Sequence, residues 1–163
     1  MRIAILAATA ALATLPALGA VAAEPQVTVT YGAKLQDKID EYGARDVDRL
    51  AEDLRESVLK RAAKTPALDD ATIELVLEDV VPNRPTIQQM SDKPGLSYDS
   101  FGVGGASISG TVTTADGRTA PVSYRWYETD IRWAYPSSTW SDARQTFDRF
   151  ALRLARNAAG AGN

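Results

Sequence analysis

The chain has 163 residues, 45% of them apolar and 24% charged, with 18 basic and 21 acidic side chains and neither histidine nor cysteine. That is the make-up of a globular protein, not of a disordered or fibrous one. Without Cys or His there can be no disulfide, no thiolate nucleophile, no Ser-His-Asp triad and no Cys/His metal centre, and no cofactor or metal is expected.

Arg2 is the only charge before Glu24, and Ile3 to Ala23 is nearly all Ala, Leu, Ile and Val. A short positive start, an apolar middle and small residues at Ala20 to Ala23 describe a secretory signal peptide over residues 1–23, cut after Ala23. A permanent anchor fits less well, because the uninterrupted apolar run falls short of the roughly 20 residues a span needs. Residues 24–163 then form a single periplasmic or secreted domain. Loss of Arg2 leaves 17 basic against 21 acidic residues, which argues against nucleic acid or an anionic membrane surface as partner. An exported chain without Cys suits a Gram-negative periplasm, where disulfides are permitted but not required.

Val27, Val29 and Tyr31 alternate with polar neighbours and predict a strand. Lys34 to Glu41 has no clear assignment. After Gly43, Val47, Leu50, Ala51, Leu54, Val58, Leu59 and Ala62 follow at helical spacing, and Pro66 ends that helix. Ile73, Leu75 and Leu77 predict a second strand over 71–81, covered mainly on one side, with Asp79 at the parity of the buried face. Residues 82–100 show no period and read as a long loop.

Two strands, 104–114 and 118–127, flank Asp116-Gly117. A two-residue turn would set Ile108 against Arg125. A three-residue turn pairs Thr114 with Arg118, Ile108 with Tyr124, Gly110 with Val122, Ala106 with Trp126 and Val112 with Ala120. Only the second register puts the apolar residues of both strands on one face. It predicts a type I turn with Gly117 left-handed in a bulge. Thr139 and Asp142 suggest the cap of a last helix striped by Trp140, Ala143, Phe147, Phe150, Ala151, Leu154 and Ala158, with residues 159–163 frayed. The predicted fold is α+β, in the order β-α-β-β-β-α: a sheet of about four strands with both amphipathic helices on one face.

Half of the aromatic residues and all three tryptophans fall between Tyr124 and Trp140. Tyr124, Trp126 and Trp140 fit the core pattern; Trp133 and Tyr135 do not. Exposed Trp and Tyr make rigid contact surface for peptides, sugars or proteins. With the long loop they mark a candidate binding surface of Arg84, Tyr98, Phe101, Trp133 and Tyr135. A carboxylate at the end of a buried strand needs a cation, and Arg84, Arg125 or Arg132 could pair with Asp79. Such a site could clamp an anion, though a structural ion pair is the favoured reading. The run Gly102 to Ser107 lacks the spacing of a phosphate loop and reads as close backbone approach. The carboxylates outside the helices follow no calcium-loop spacing, and no pair among them stands out as a catalytic couple.

At PNRPT (Pro82 to Thr86), PGLSYDSFGVGGASISG (Pro94 to Gly110), YRWYETDI (Tyr124 to Ile131) and TWSDARQTFDRFALRL (Thr139 to Leu154), the chain resembles small exported proteobacterial proteins of no assigned function, lipoprotein-like in layout but without the lipid-anchor Cys. The resemblance implies envelope localisation, no established activity and no catalytic residue. The favoured function is a module binding an unknown envelope protein or glycan, with no membrane span after cleavage. The alternatives are a small carboxylate-dependent hydrolase acting on glycan and a carbohydrate-binding module.

Overall fold

A computed structural model describes residues 24–133 and 138–161. The expected leader over 1–23 and the candidate Tyr135 lie outside the described residues. The elements in order are β1 (Gln26–Tyr31), α1 (Ala33–Gln36), α2 (Ile39–Tyr42), α3 (Ala44–Ala62), β2 (Thr72–Val81), α4 (Ile87–Asp92), β3 (Gly105–Thr113), β4 (Thr119–Tyr127) and α5 (Ser141–Ala161). Single 3₁₀ turns stand at Pro66–Leu68 and Ile131–Trp133.

The sheet order is β1-β2-β3-β4. β1 runs parallel to β2, so the chain between them must cross over, and α1 to α3 supply that crossing. The other two pairings are antiparallel. Ile73, Leu75 and Leu77 of β2 stand beside Val112, Gly110 and Ile108 of β3, and these beside Ala120, Val122 and Tyr124 of β4. This is the face the helices cover. Val47, Leu50, Leu54 and Val58 of α3 and Ala143, Phe147, Phe150 and Leu154 of α5 join Ile73, Leu75, Leu77, Ile108 and Val112 in one buried cluster, with Val122 and Tyr124 partly buried against it. The two helices also touch each other: Arg144 Nε donates to Asp53 at 2.7 Å, Ser57 Oγ to Asp148 at 2.8 Å and Trp140 Nε1 to Asp46 at 3.2 Å. The architecture is the α+β fold expected, with both apolar stripes under one sheet.

The hairpin follows the three-residue register at every predicted pair. Thr114 N–H donates to Arg118 O at 2.9 Å, and Gly117 takes φ +81°. Gly110 lies so close to β2 that a Cβ would meet Glu74 O at 2.1 Å.

Three expectations are corrected. Lys34 to Glu41, without a clear assignment from the pattern, falls in the two short helices α1 and α2, which bury Leu35 and Tyr42. The 82–100 segment is not wholly loop, because Thr86 and Gln89 form a reciprocal capping box that starts α4. At the start of α5, Asp142 bonds to Asn83 and Gly104, where the sequence suggested a cap by Thr139. α5 runs as far as Ala161, and the rest of the tail expected to fray lies outside the described residues.

Candidate functional site

Val81 pairs with Gly105 and Gly105 with Tyr127, so the end of β2, the start of β3 and the end of β4 lie together. Both long connections, β2 to β3 and β4 to α5, leave from this end of the sheet. Asn83 ties them. Its N–H donates to Thr139 O at 2.7 Å, and its carbonyl accepts from Gly102 N–H at 2.8 Å. Its side-chain oxygen accepts the Asp142 N–H at 2.9 Å, and its amide donates to Asp142 Oδ2 at 2.6 Å. Asp142 Oδ2 also accepts from Gly104 N–H at 2.9 Å. A Cβ on Gly104 would meet Val81 O at 2.7 Å and Asn83 Oδ1 at 2.8 Å, which explains a glycine there by close approach.

On this frame sit the exposed rings. Arg84 Nη1 donates to Tyr98 O at 2.6 Å, and its guanidinium lies 5.1 Å from the Tyr98 ring centroid. Phe101 is 42% exposed, Tyr98 56% and Trp133 69%. Ile87 and Ile131 are exposed in the same two connections. Beside Trp133 a cavity of about 390 Å³ is lined by Glu128, Ser141, Asp142, Gln145 and Arg149 as well. Trp140 is core and meets Tyr42 edge-on at 5.5 Å, and Tyr124 packs partly buried against the core; Trp126, expected there too, is half-buried outside the cluster, under the Arg149 guanidinium.

At the same end lies the buried carboxylate. β2 carries one extra residue, Glu78, between the pairs Leu77–Ile108 and Asp79–Ser107. This bulge inverts the parity, so Val80 falls on the helix-covered face and Asp79 on the opposite one. Asp79 remains only 3% exposed. Lys34 Nζ pairs with its Oδ2, Lys38 Nζ donates to Oδ1 at 2.7 Å, and Tyr127 OH donates to Oδ2 at 3.0 Å. The tyrosine ring crosses Gly105, where a Cβ would strike Tyr127 Cα at 2.6 Å.

The cations on Asp79 are therefore the lysines of the α1–α2 segment. The arginines offered by the sequence sit elsewhere: Arg125 lies 5.2 Å from the Tyr127 ring, Arg132 pairs with Asp130 at 2.5 Å, and Arg84 bonds Tyr98. The physical reason is that β1 ends opposite Leu77 while β2 runs on, leaving its edge to α1.

Burial raises the proton affinity of Asp79, but the hydrogen bonds from Lys34 and Lys38 outweigh it and hold the carboxyl below the ordinary range. Burial lowers the Lys38 ammonium, the bond to Asp79 raises it, and the net is upward. Burial, then the Asp79 charge, pushes the Tyr127 phenol up. Each group is thus locked in one protonation state near neutrality. That makes a structural pin, not a general acid. Glu41, Glu52, Asp116 and Asp130 are likewise held below ordinary values by hydrogen bonds from neighbouring side chains. Among the described residues no cluster of carboxylates could hold a metal ion, and no helix is long and apolar enough to cross a membrane.

No family model matches the chain, and no curated protein matches it. One solved structure with a likeness is that of a candidate lipoprotein of Caulobacter crescentus CB15, 11% identical, with a TM-score of 0.41, over 85% of this chain and 91% of that one. At that distance nothing passes from that protein to this one.

Proposed function

We propose that the protein is an exported module of the periplasm that binds an envelope partner through the two connections at one end of its sheet. One observation carries this reading: Ile87, Tyr98, Phe101, Ile131 and Trp133, the large apolar side chains left exposed among the described residues, all fall in those two connections. Scattered exposed apolar residues need no explanation, but a set gathered at one end of a fold marks a contact surface. The Asn83–Asp142 bonds hold that end in place, so the rings are presented on a framed surface.

The test is a cross-linked capture from periplasmic extract, comparing the unmodified protein with Trp133→Ala and Phe101→Ala. Both variants should lose the same captured species while keeping the unfolding midpoint. A saturable tryptophan quench by cell-wall sugars, abolished in Trp133→Ala, would identify the partner as glycan. If both variants retain every captured species and every quench, the surface has been misplaced.

A further inference from the structure

β4 forms one edge of the sheet, and among the described residues only β3 pairs with it. The Thr114 N–H bond to Arg118 O makes that pair a hydrogen-bonded one, and such pairs alternate with non-bonded ones in an antiparallel ladder. Ala120, Val122, Tyr124 and Trp126 therefore direct their backbone groups to β3. Thr119, Ser123, Arg125 and Tyr127 turn N–H and C=O outward. Pro121 falls at an outward position, where its missing N–H costs no ladder bond.

Cations line this edge. The Arg149 guanidinium lies 4.1 Å from the Trp126 ring centroid and that of Arg153 5.9 Å from Tyr124. Arg156 follows on the same side of α5. Arg125 flanks the strand from the other face, over Tyr127. None of the four is in an ion pair among the described residues, although the chain is acidic overall. A stacked guanidinium keeps its in-plane N–H groups free for a carboxylate. Towards the hairpin turn the seam between β4 and α5 opens into a groove of about 840 Å³, lined by Leu68, Ala120, Pro121, Val122, Leu154 and Ala158 among others.

We propose that an extended peptide segment adds to β4 as a fifth strand, with acidic side chains against Arg149 and Arg153 and apolar ones in the groove. Strand addition takes its affinity from main-chain bonds and its selectivity from alternate side chains, and this edge offers both. A second copy of the chain is the poorer occupant, because two β4 edges would bring two rows of arginine together. The seam meets the loop surface only at Arg149, which also lines the cavity beside Trp133; Arg153 and Ser123 lie outside that cavity, so Arg153→Glu and Ser123→Pro let either reading fail alone.

The probe is a pair of labelled decapeptides in which threonine alternates with leucine over one half and with glutamate over the other. The leucine half comes first in one and last in the other. One of the two should bind in the micromolar range by fluorescence anisotropy. Affinity should fall about tenfold or more in Arg149→Glu/Arg153→Glu, in Ser123→Pro, and for a peptide N-methylated at alternate residues, which leaves the protein untouched. Trp133→Ala should bind as the unmodified protein does. The proposal is overturned if neither peptide binds below a Kd on the order of 1 mM, if the N-methylated form binds equally, or if a single-stranded oligonucleotide competes as well as the peptide.

Discussion

Asp79→Asn isolates the charge of the buried carboxylate, since the amide keeps one acceptor oxygen for Lys38 or Lys34. Removing one partner of a buried ion pair costs about 3–5 kcal/mol when the remaining charge stays dry. Here the remaining charges are not equally dry: the Lys38 side chain is 25% exposed and that of Lys34 is 65%. Lys34 can turn into water at little loss, whereas Lys38 stays wedged beside the Tyr42 ring at 5.6 Å. The expected cost therefore falls below that range, at about 2 kcal/mol, or about 6 °C in Tm for a domain of this size. Lys38→Met should cost about 1 kcal/mol and Lys34→Ala a few tenths, in that order of exposure.

The pH dependence separates this account from simple loss of packing. The folded state holds the Asp79 carboxyl below its ordinary value. Its stabilisation is therefore fully present above the unfolded carboxylate pKa of about 4 and is lost as pH falls through the lowered folded value. Urea unfolding at neutral pH and at successive steps below pH ~4 should show the gap between the unmodified protein and Asp79→Asn closing on acidification. A gap that stays constant with pH, or no gap at neutrality, refutes the assignment of Asp79 as the charged centre of this end of the sheet.

Other outcomes follow from the same geometry. Gly110→Ala should cost more than about 3 kcal/mol in urea unfolding, because its Cβ would lie 2.1 Å from Glu74 O. Gly117→Ala, with nothing within 4 Å but a φ of +81°, should cost only about 1 kcal/mol. Asn83→Ala removes the partner of a buried carboxylate and of a helix N–H, and should cost about 3 kcal/mol in the same assay. The Tyr31 phenol, pushed up to about 12 by burial and then by its 2.7 Å bond to Asp48, should titrate late by absorbance; Asp48→Asn should bring it back towards ordinary tyrosine.

The hairpin was legible because two independent signals agree. Asp116-Gly117 limits the turn to two or three residues, and the parity of Ile108, Tyr124, Trp126 and Val122 rejects one of the two. Lys34 to Glu41 gives no clear assignment, although Leu35, Ile39 and the following Tyr42 fall at helical spacing with Lys34 and Lys38 one turn apart. Each helix there spans four residues and lacks a side-chain cap, so the pattern is too short to stand above its neighbours. The capping box of α4 was written plainly as Thr86-x-x-Gln89. The Glu78 bulge left no mark in β2 itself, because neither Gly nor Pro stands there. Its trace is Gly32, where a Cβ would meet Glu78 Cα at 2.9 Å. A bulge inverts every later side chain of its strand, so missing it misplaced the face of Asp79 and hence its partners.

The glycines at 102, 104 and 105 and the exposed rings belong to one arrangement. A loop free to move would lose its side-chain entropy on binding and would gain little from Trp133 or Phe101. Asn83 and Asp142 remove that freedom, and they meet against the backbone of Gly104, whose N–H bonds Asp142 and where a Cβ would press on the Asn83 side chain. Gly105 does the same for Tyr127, letting its hydroxyl reach Asp79 and so joining β4 to the α1–α2 segment. The run that resembles a phosphate loop in composition is therefore the floor on which two long connections are fastened. The exposed apolar residues at Ile87, Tyr98, Phe101, Ile131 and Trp133 are carried by the segments fastened there. On this reading a glycine substitution at 104 should weaken binding through the position of the rings, even where it leaves every exposed side chain unchanged.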